Sequence, residues 1–453
     1  MMTSSYARLP MEKWVNQWTI VLMCLCFAVP QQIISHELFP TPPALKKNVE
    51  FWTKVYSLYS TNHVIIHDNR DLSIIYGVID LDAYFAKDED LATKWKKVEE
   101  VKDQYREILQ HLAQMPEPVS LDSLNAEERH VYILWSQYDN TDKFETARLS
   151  IRAQLGLRDR FKASLERSGA IIDHVIETFH KYGLPADLAY LPHVESLYTY
   201  DSCSKVGAVG LWQFIRHTGR LFMTINSAID ERRDPYLATE AAAKLLKLNM
   251  QELKSWPLAI TAYNHGLTGM KNAILKTGSS DFGVICENYK SRTFGFASRN
   301  FYAEFLAARQ IARNYKEYFG DIKIHSPWEY QTVVMPRNYY LSTVAEILDI
   351  HVDTLVAYNP ALRWATIKNK RAIPKGYILR LPPRKGFDPR EAFVSKALPT
   401  QTRHGSALFA YYSSADSTNC ISEEKVLDLL QQPLPPLLQQ KETALETLDQ
   451  NGM

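Results

Sequence analysis

The sequence predicts a mainly α-helical protein that carries one small α/β module near its C-terminal end. Two observations lead to this fold class. Long stretches between residues 36 and 320 repeat apolar side chains at the spacing of an amphipathic helix. Short β-branched runs flank two further helical stretches between residues 328 and 383. With 453 residues, the chain has room for two or three domains.

The composition is that of a globular protein, with 46% hydrophobic and 23% charged residues. Lysines and arginines number 52 against 51 aspartates and glutamates, so the formal net charge is +1. This balance provides no general attraction to nucleic acid, and no nucleic-acid partner is expected. The five cysteines show no CxxC spacing, and we expect neither a metal nor an organic cofactor. Cys203 and Cys286 either pair in an oxidising compartment or remain thiols.

The N-terminal segment 1–30 differs from the rest of the chain. Arg8 and Lys13 precede an apolar run from Trp18 to Val29. A positive start followed by about a dozen apolar residues is typical of a secretory signal and is short for a bilayer span. We therefore expect export across a membrane into the cell envelope. The alternatives are an uncleaved amphipathic N-terminal anchor, which would associate with the membrane, or a buried N-terminal helix.

Residues 36–160 form a predicted N-terminal helical region. Helical periodicity is clear in Leu91–Leu112 and Ala126–Tyr138, and Pro116 breaks the chain between them. The pattern of Asp71–Ala86 is compatible with either strand or helix. No group of side chains here is suited to catalysis, so we interpret the region as a packing or spacer domain.

Residues 161–320 are repeatedly helical and form the predicted central domain. Pro192 should distort the helix that contains it, because it lacks an N–H group. Asp234 precedes Pro235 as a helix cap precedes a first-turn proline. The predicted helices are Phe161–Lys181, Ala186–Tyr198, Tyr236–Leu248 and Trp256–Tyr263.

Three short motifs in this domain stand out: Leu191 to Ser196, Gly207 to Phe214, and Ala262 to Gly266. Each alone has a structural explanation, as a solvated helix end, a packed turn or a helix C-cap. Together and in this order they resemble the lysozyme-like domain of lytic transglycosylases of the soluble and membrane-bound D types. The resemblance covers about residues 183–275. It continues more weakly upstream and downstream, from Arg152 to Tyr302.

The resemblance implies an enzyme that cleaves peptidoglycan glycan strands, with Glu195 as its catalytic acid. A carboxyl group donates a proton near neutral pH only if apolar surroundings raise its pKa. The apolar neighbours expected around Glu195 are Leu191, Val194, Leu197, Trp212 and Phe214.

The family chemistry implied by this resemblance needs one carboxyl group. Glu195 would serve first as acid and then as base, and the muramyl 6-hydroxyl would close a 1,6-anhydro ring. A hydrolytic lysozyme of goose type would need a second carboxylate. Asp201 and Asp234 are the nearest candidates, although each also suits a turn or a helix cap. A non-catalytic wall-binding protein and chitin cleavage are the further alternatives.

The resemblance also implies residues that contact the substrate: Ser196, Gly207, Gly210, Gln213, Tyr263, Asn264 and Tyr302. Ser196 could instead bond to its own helix end, and Tyr263 could orient Glu195. His193 is expected to be structural. His265 replaces a small residue common in the family and is expected to point to solvent.

Residues 328–383 form a predicted α/β module of order strand–helix–helix–strand. Its strands are expected at Tyr330–Met335 and Ile378–Leu381, and its helices at Ser342–Leu348 and Val352–Tyr358. The pattern resembles a LysM domain, which implies binding to glycans that contain N-acetylglucosamine. Pro336-Arg337-Asn338 departs from the Gly-Asp turn usual there. Residues 398–453, rich in Ser, Gln, Pro and Leu, are predicted to be a disordered tail.

Overall fold

A computed structural model describes residues 38–86, 89–116, 118–204 and 206–395. From residue 41 onward these belong to one compact unit. The predicted leader 1–30 and tail 398–453 lie outside the described residues. The mainly helical fold class is confirmed, and small sheets accompany the helices. No helix in the described part of the chain is long and apolar enough to cross a membrane.

The N-terminal region contains a sheet as well as helices. Strand β1 (His63–Asp68) lies between the antiparallel strands β2 (Ile75–Asp80) and β3 (Ile151–Leu155). Buried β-branched side chains in β1 favour this central position. The prediction of a helical region over 36–160 is therefore incomplete. The helices of this region are α1 (Lys46–Ser57), α2 (Leu91–Gln114), α3 (Ala126–Leu134) and α4 (Lys143–Arg148).

The central domain is entirely helical apart from its loops. Two short 3-10 segments, Ala186–Tyr190 and Glu231–Arg233, lie between its helices. The α-helices are α5 (Arg158–Ser168), α6 (Ile172–Lys181), α7 (Pro192–Glu195), α8 (Arg216–Gly219), α9 (Pro235–Leu253), α10 (Trp256–His265), α11 (Leu267–Thr277), α12 (Phe282–Asn288), α13 (Phe296–Arg313) and α14 (Tyr315–Phe319).

The stretch predicted as one helix, Phe161–Lys181, is divided into α5 and α6. Gly169 lies at the break, where a Cβ atom would come within 2.4 Å of the His325 carbonyl oxygen. The His325 N–H also donates to the Glu166 carbonyl at 2.9 Å. The later segment thus approaches so closely that it requires glycine here. Helical periodicity alone carries no information about this contact.

Helix α9 begins as its sequence predicts. The Asp234 carboxylate accepts the backbone N–H groups of Tyr236 and Leu237 at 3.0 and 3.1 Å. Pro235 occupies the first turn, where its missing N–H costs no hydrogen bond. The buried alanines of α9 permit close packing against α10.

Helix α1 packs against α13 and so connects the N-terminal region to the central domain. The Asn300 side-chain oxygen accepts bonds from the Asn48 amide at 2.8 Å and the Trp52 indole at 3.2 Å. Asn300 is buried, and these bonds satisfy its polar group. Residues 36–160 were interpreted as a packing or spacer domain. The contacts of α1 with α13 are those of a packing element.

The C-terminal module contains the predicted two strands and two helices in the predicted sequence, with a further short helix, Trp364–Ile367, before the second strand. Strands β4 (Gln331–Val334) and β5 (Ile378–Leu381) pair antiparallel. Its core contains buried leucines and isoleucines, together with Ile229 from the central domain. The helices are α15 (Leu341–Leu348), α16 (Val352–Tyr358), α17 (Trp364–Ile367) and α18 (Pro389–Ser395).

Candidate active site

Glu195 is the last residue of the four-residue helix α7. The predicted continuous helix Ala186–Tyr198 is interrupted, because Pro192 begins a new helix after a 3-10 segment. Leu197 and Tyr198 have φ angles of 51° and 57°. These left-handed conformations end the helix directly after Glu195.

The Glu195 carboxyl group lies in a setting suited to a proton donor. The residue is half-buried, and Leu191 one turn before it is completely buried. Burial, together with the neighbouring negative charge of Glu304, raises the pKa of the Glu195 carboxyl to about 8. A carboxyl group with this pKa is largely protonated at neutral pH and can donate its proton.

Glu304 was not identified in the sequence analysis, although it lies beside the candidate acid. It belongs to α13, which packs against α7, and it is half-buried. The sequence feature that could have identified Glu304 is its position as a single acidic residue between Ala303 and Phe305, which are both buried. A carboxyl group in such an apolar run rarely occurs without a structural or functional reason.

The second motif forms a tight loop next to Glu195, and we call residues 206–214 the glycine loop. Val209 forms isolated bridges with Cys203 and Phe214. Gly210 has φ of 81°, and a Cβ there would lie 2.0 Å from the Arg232 carbonyl oxygen. This close approach is to protein backbone. Gly207 is exposed with φ of 77° and remains available to a ligand.

Two side chains connect the glycine loop to the other motifs. The Ser196 hydroxyl, next to Glu195, donates to the Leu211 carbonyl at 2.8 Å. The Tyr263 hydroxyl donates to the Trp212 carbonyl at 2.8 Å. Both residues were predicted to contact substrate, but these bonds hold the loop against α7 and α10. Ser196 is buried, so its contact with the loop takes the place of a substrate contact in this structure.

Tyr263 and Asn264 lie at the end of α10, close to Glu195. Burial raises the pKa of Tyr263, and the charge of Glu195 raises it further, which places the phenol near the carboxyl group. Asn264 is exposed, and its side-chain oxygen accepts a bond from the Ser298 hydroxyl at 2.8 Å. Its position suits the predicted contact with a ligand.

Gln213 is half-buried, and its side chain folds onto the glycine loop. Its amide nitrogen donates to the Gly210 carbonyl at 2.8 Å. Its backbone has φ of 46°, an uncommon value for a residue with a side chain. The loop therefore constrains Gln213, and the amide nitrogen predicted to bind a sugar bonds to the loop itself.

Tyr302 does not line the site, contrary to the prediction. Its side chain is completely buried, with ring contacts to Phe282 and Phe305. Burial also raises the pKa of its hydroxyl. Helical residues return to the same face every three to four positions, and Tyr302 lies on the face of α13 that packs into the core.

The two histidines of the motifs have structural surroundings. His193 is completely buried, its Nδ1 lies 2.8 Å from the Ser164 hydroxyl, and burial lowers its pKa to about 3. His265 is half-buried between the rings of Tyr289 and Phe294. The expectation for His193 agrees with this environment, whereas the expectation that His265 points to solvent is wrong.

Neither candidate for a second carboxylate has the surroundings of a catalytic group. Asp201 is exposed. Asp234 is buried, caps α9 and forms an ion pair with Arg380. The acidic neighbour of Glu195 is Glu304 instead.

The expected alternatives for the cysteines are also resolved in part. Cys203 is disulfide-bonded, whereas Cys286 is a free thiol whose pKa burial raises to about 12. The predicted bond between these two residues is therefore wrong, and the alternative that both remain thiols is correct for Cys286 and wrong for Cys203. Among the described residues, no cluster of three or more His, Cys, Asp or Glu side chains could hold a metal ion.

The matched family model is the Transglycosylase SLT domain, over residues 174–285. This range contains Glu195, the glycine loop and Tyr263, and it agrees with the predicted lysozyme-like fold of the central domain. The match covers about a quarter of the chain and does not include the C-terminal module.

Two relatives are named membrane-bound lytic murein transglycosylase D, from Escherichia coli strains K12 and O6:H1. Each is 26% identical over 198 residues, which are 41% of this chain and 41% of the relative. The chain thus matches less than half the length of either relative.

Two solved structures are similar to parts of the chain. One is an inactive mutant of the lytic transglycosylase Slt from Pseudomonas aeruginosa, with 19% identity, a TM-score of 0.27, and coverage of 34% of this chain and 25% of that one. The other is the 70 kDa soluble lytic transglycosylase of Escherichia coli, with 18% identity, a TM-score of 0.27, and coverage of 52% and 46%.

Proposed function

We propose that this protein is a peptidoglycan lytic transglycosylase in which Glu195 is the only acid–base group of the reaction. The observation that carries the proposal is the Glu195 carboxyl, half-buried at a helix end with a pKa raised to about 8. The match to the Transglycosylase SLT domain around this residue supports the same reading. The names of the two relatives further support murein as the substrate.

In the proposed reaction, protonated Glu195 donates its proton to the oxygen of the β-1,4 bond between N-acetylmuramic acid and N-acetylglucosamine. The bond from the anomeric carbon to this oxygen breaks as positive charge develops on the sugar, and the acetamido group assists. The muramyl 6-hydroxyl then attacks the anomeric carbon and transfers its proton to the Glu195 carboxylate. The enzyme is restored, and the product is a 1,6-anhydro sugar.

Two exposed residues of the site support the proposed binding of a glycan strand. Gly207 and Asn264 are exposed, belong to the motifs whose members contact one another beside Glu195, and would face the glycan. Gln213 and Tyr263 would act mainly by holding the glycine loop in place. Ser196 would act in the same way.

Hydrolysis by a goose-type lysozyme is the second candidate, and one observation favours it. Glu304 supplies a carboxyl group next to Glu195, and a hydrolase uses such a group to activate water or to stabilise the sugar cation. Product chemistry separates the two reactions.

The C-terminal module and the location of the protein complete the proposal. We propose that residues 328–383 are a LysM-like glycan-binding module, supported by the observed order of β4, α15, α16 and β5. A murein substrate and the leader-like segment 1–30 together support export to the bacterial cell envelope, where the substrate lies.

The decisive experiment is mass spectrometry of muropeptides released from purified peptidoglycan. Anhydro ends, about 18 Da lighter than hydrolytic products, are expected. Reducing ends would overturn the transglycosylase reaction in favour of hydrolysis. If nothing is released, although the protein sediments with insoluble peptidoglycan, the chain is a wall-binding protein.

A further inference from the structure

A single segment lies between the C-terminal module and the glycine loop, and we call residues 226–234 the bridging segment. Its Ile229 pairs with Leu362 of the module in an isolated bridge, and the Ile229 side chain belongs to the module's core. The Asp230 N–H donates to the Ala361 carbonyl at 2.8 Å. The central domain and the module therefore share part of their core.

Further hydrogen bonds attach the module to the same segment. The Ala228 carbonyl accepts from the Arg363 N–H at 3.0 Å and from the Thr366 hydroxyl at 2.8 Å. Thr366 is completely buried, so its hydroxyl is shielded from water. Loss of such a bond leaves a buried carbonyl with one partner fewer.

The end of the bridging segment is attached by a buried ion pair. Arg380 on β5 donates to the Asp234 carboxylate, and both side chains are almost completely buried. The Arg380 guanidinium also lies 4.4 Å from the centre of the Tyr236 ring. Breaking a buried pair of this kind leaves an uncompensated charge, so the two elements are expected to move together.

The opposite side of the bridging segment holds the glycine loop. Arg232 forms a two-point ion pair with Asp230 at 2.9 and 2.7 Å. Its remaining nitrogen, Nη1, donates to the carbonyls of Gly207 and Phe214 at 2.9 and 3.0 Å. One planar guanidinium thus joins the segment to both ends of the loop.

The glycine loop in turn contacts the residues around the candidate acid. The Leu211 and Trp212 carbonyls accept the hydroxyl protons of Ser196 and Tyr263. A continuous path of bonds therefore leads from Arg380 through the bridging segment and Arg232 to Glu195's immediate neighbours. Packed elements and hydrogen-bond networks of this kind can carry energetic coupling between distant sites.

We propose that the C-terminal module is a positioning element of the active site, with Arg380 and Thr366 as positioning residues that act through the bridging segment. The module would hold the glycine loop in its working conformation in addition to any glycan that it binds. The inference rests on the proposed function where turnover is the readout. The claim that the module holds the glycine loop can be tested by a measurement that does not depend on catalytic activity.

The first test is hydrogen–deuterium exchange of the full chain with Arg380→Met, against Arg390→Met as the matched control. Arg390 also forms an arginine–aspartate pair in the module, but an exposed one with Asp388. Amides of residues 206–214 should exchange about tenfold faster in Arg380→Met and at the wild-type rate in the control. Unchanged exchange of the loop in Arg380→Met would overturn the proposal.

A milder variant serves if Arg380→Met does not fold. Thr366→Val removes one hydroxyl bond, keeps the side-chain shape, and should also increase exchange in residues 206–214. Arg380→Lys retains a charge for Asp234 and should restore part of the protection. If Thr366→Val and Arg380→Lys increase amide exchange only in residues 226–234 and not in residues 206–214, the module does not position the site.

The second test compares turnover with wall binding. Arg380→Met should lower kcat on short soluble glycans about tenfold while leaving sedimentation with insoluble peptidoglycan within about twofold of wild type. Wild-type turnover of short glycans by this variant would overturn the proposal. If the wild-type protein cleaves no glycan, the proposed function fails, and the exchange experiment still decides the positioning role.

Discussion

Glu195 and Asp234 are both acidic side chains with carboxyl groups removed from bulk water, but their neighbours carry charges of opposite sign. Glu195 lies beside Glu304, and burial together with this like charge favours its protonated form. Asp234 lies against the Arg380 guanidinium and accepts two backbone N–H groups. The comparison shows that burial alone does not produce an acid, because the more deeply buried Asp234 has a cation beside it and forms a structural ion pair.

Because their neighbours differ, mutations of Glu195 and Asp234 should have different effects. Removing the carboxyl group of Glu195 should affect the chemistry directly. Removing the charge of Asp234 should affect folding first and, through the bridging segment, the glycine loop. Both residues were weighed as catalytic carboxylates from the sequence, and only their surroundings separate them. The predictions below test this separation, beginning with the largest expected effect.

Glu195→Gln should slow glycan cleavage by about 10²- to 10⁴-fold, because an amide cannot donate the proton. Initial rates of muropeptide release, measured by liquid chromatography and mass spectrometry, test this. Glu252→Gln is the matched control, since Glu252 is exposed and paired with Lys271. Wild-type rates in Glu195→Gln would remove this residue from the mechanism.

Asp234→Asn should lower the free energy of unfolding by about 3 kcal/mol, because Arg380 is left buried without its counter-charge. Denaturant unfolding measures the effect, and Asp388→Asn, which breaks an exposed pair with Arg390, is the control. The pH at which activity declines should not move. A shift of that pH would mean that Asp234 influences the acid after all.

Glu195→Gln should also stabilise the folded protein at neutral pH. The folded-state pKa is about 8 against an ordinary 4.5, so between these values the folded protein holds a proton that the unfolded chain has lost. The free energy of unfolding therefore falls as pH rises through this window, by at most about 3 kcal/mol at pH 7 and by less where solvent screens the half-buried carboxyl. Denaturation at pH 5 and pH 8 should show a difference between variant and wild type that grows with pH. A constant difference contradicts the raised pKa.

Glu304→Gln should shift the alkaline decline of activity to lower pH, because the like charge that helps to hold the proton on Glu195 is gone. Activity at about pH 8.5 should fall a few-fold, with little change at pH 6. The exposed Glu317 on α14 offers the control Glu317→Gln. An equal loss at all pH values would instead assign Glu304 a direct role, as a hydrolase requires.

The sequence predicted what depends on local order along the chain. The three motifs, the cap at Asp234 and the order of elements in the C-terminal module all follow from residue types at short spacing. The split at Gly169 and the strands β1 and β3 were missed, because they depend on segments distant in sequence, and the segment that contains β2 was left open as strand or helix. Tyr302 was assigned to the wrong side of α13 for the same reason.

The sequence by itself determined that Glu195 lies near the end of a helix and belongs with a glycine-rich turn and an Asn-containing helix end. Only the tertiary structure decided which charges meet: Glu304 with Glu195, Arg380 with Asp234, and Arg232 with the glycine loop. Local propensity acts between neighbours along the chain, whereas electrostatic and packing energies depend on distance in space. Residues that carry the chemistry can therefore be listed from sequence. Their protonation and support depend on contacts between residues that are distant along the chain, in two of these three cases by more than a hundred positions.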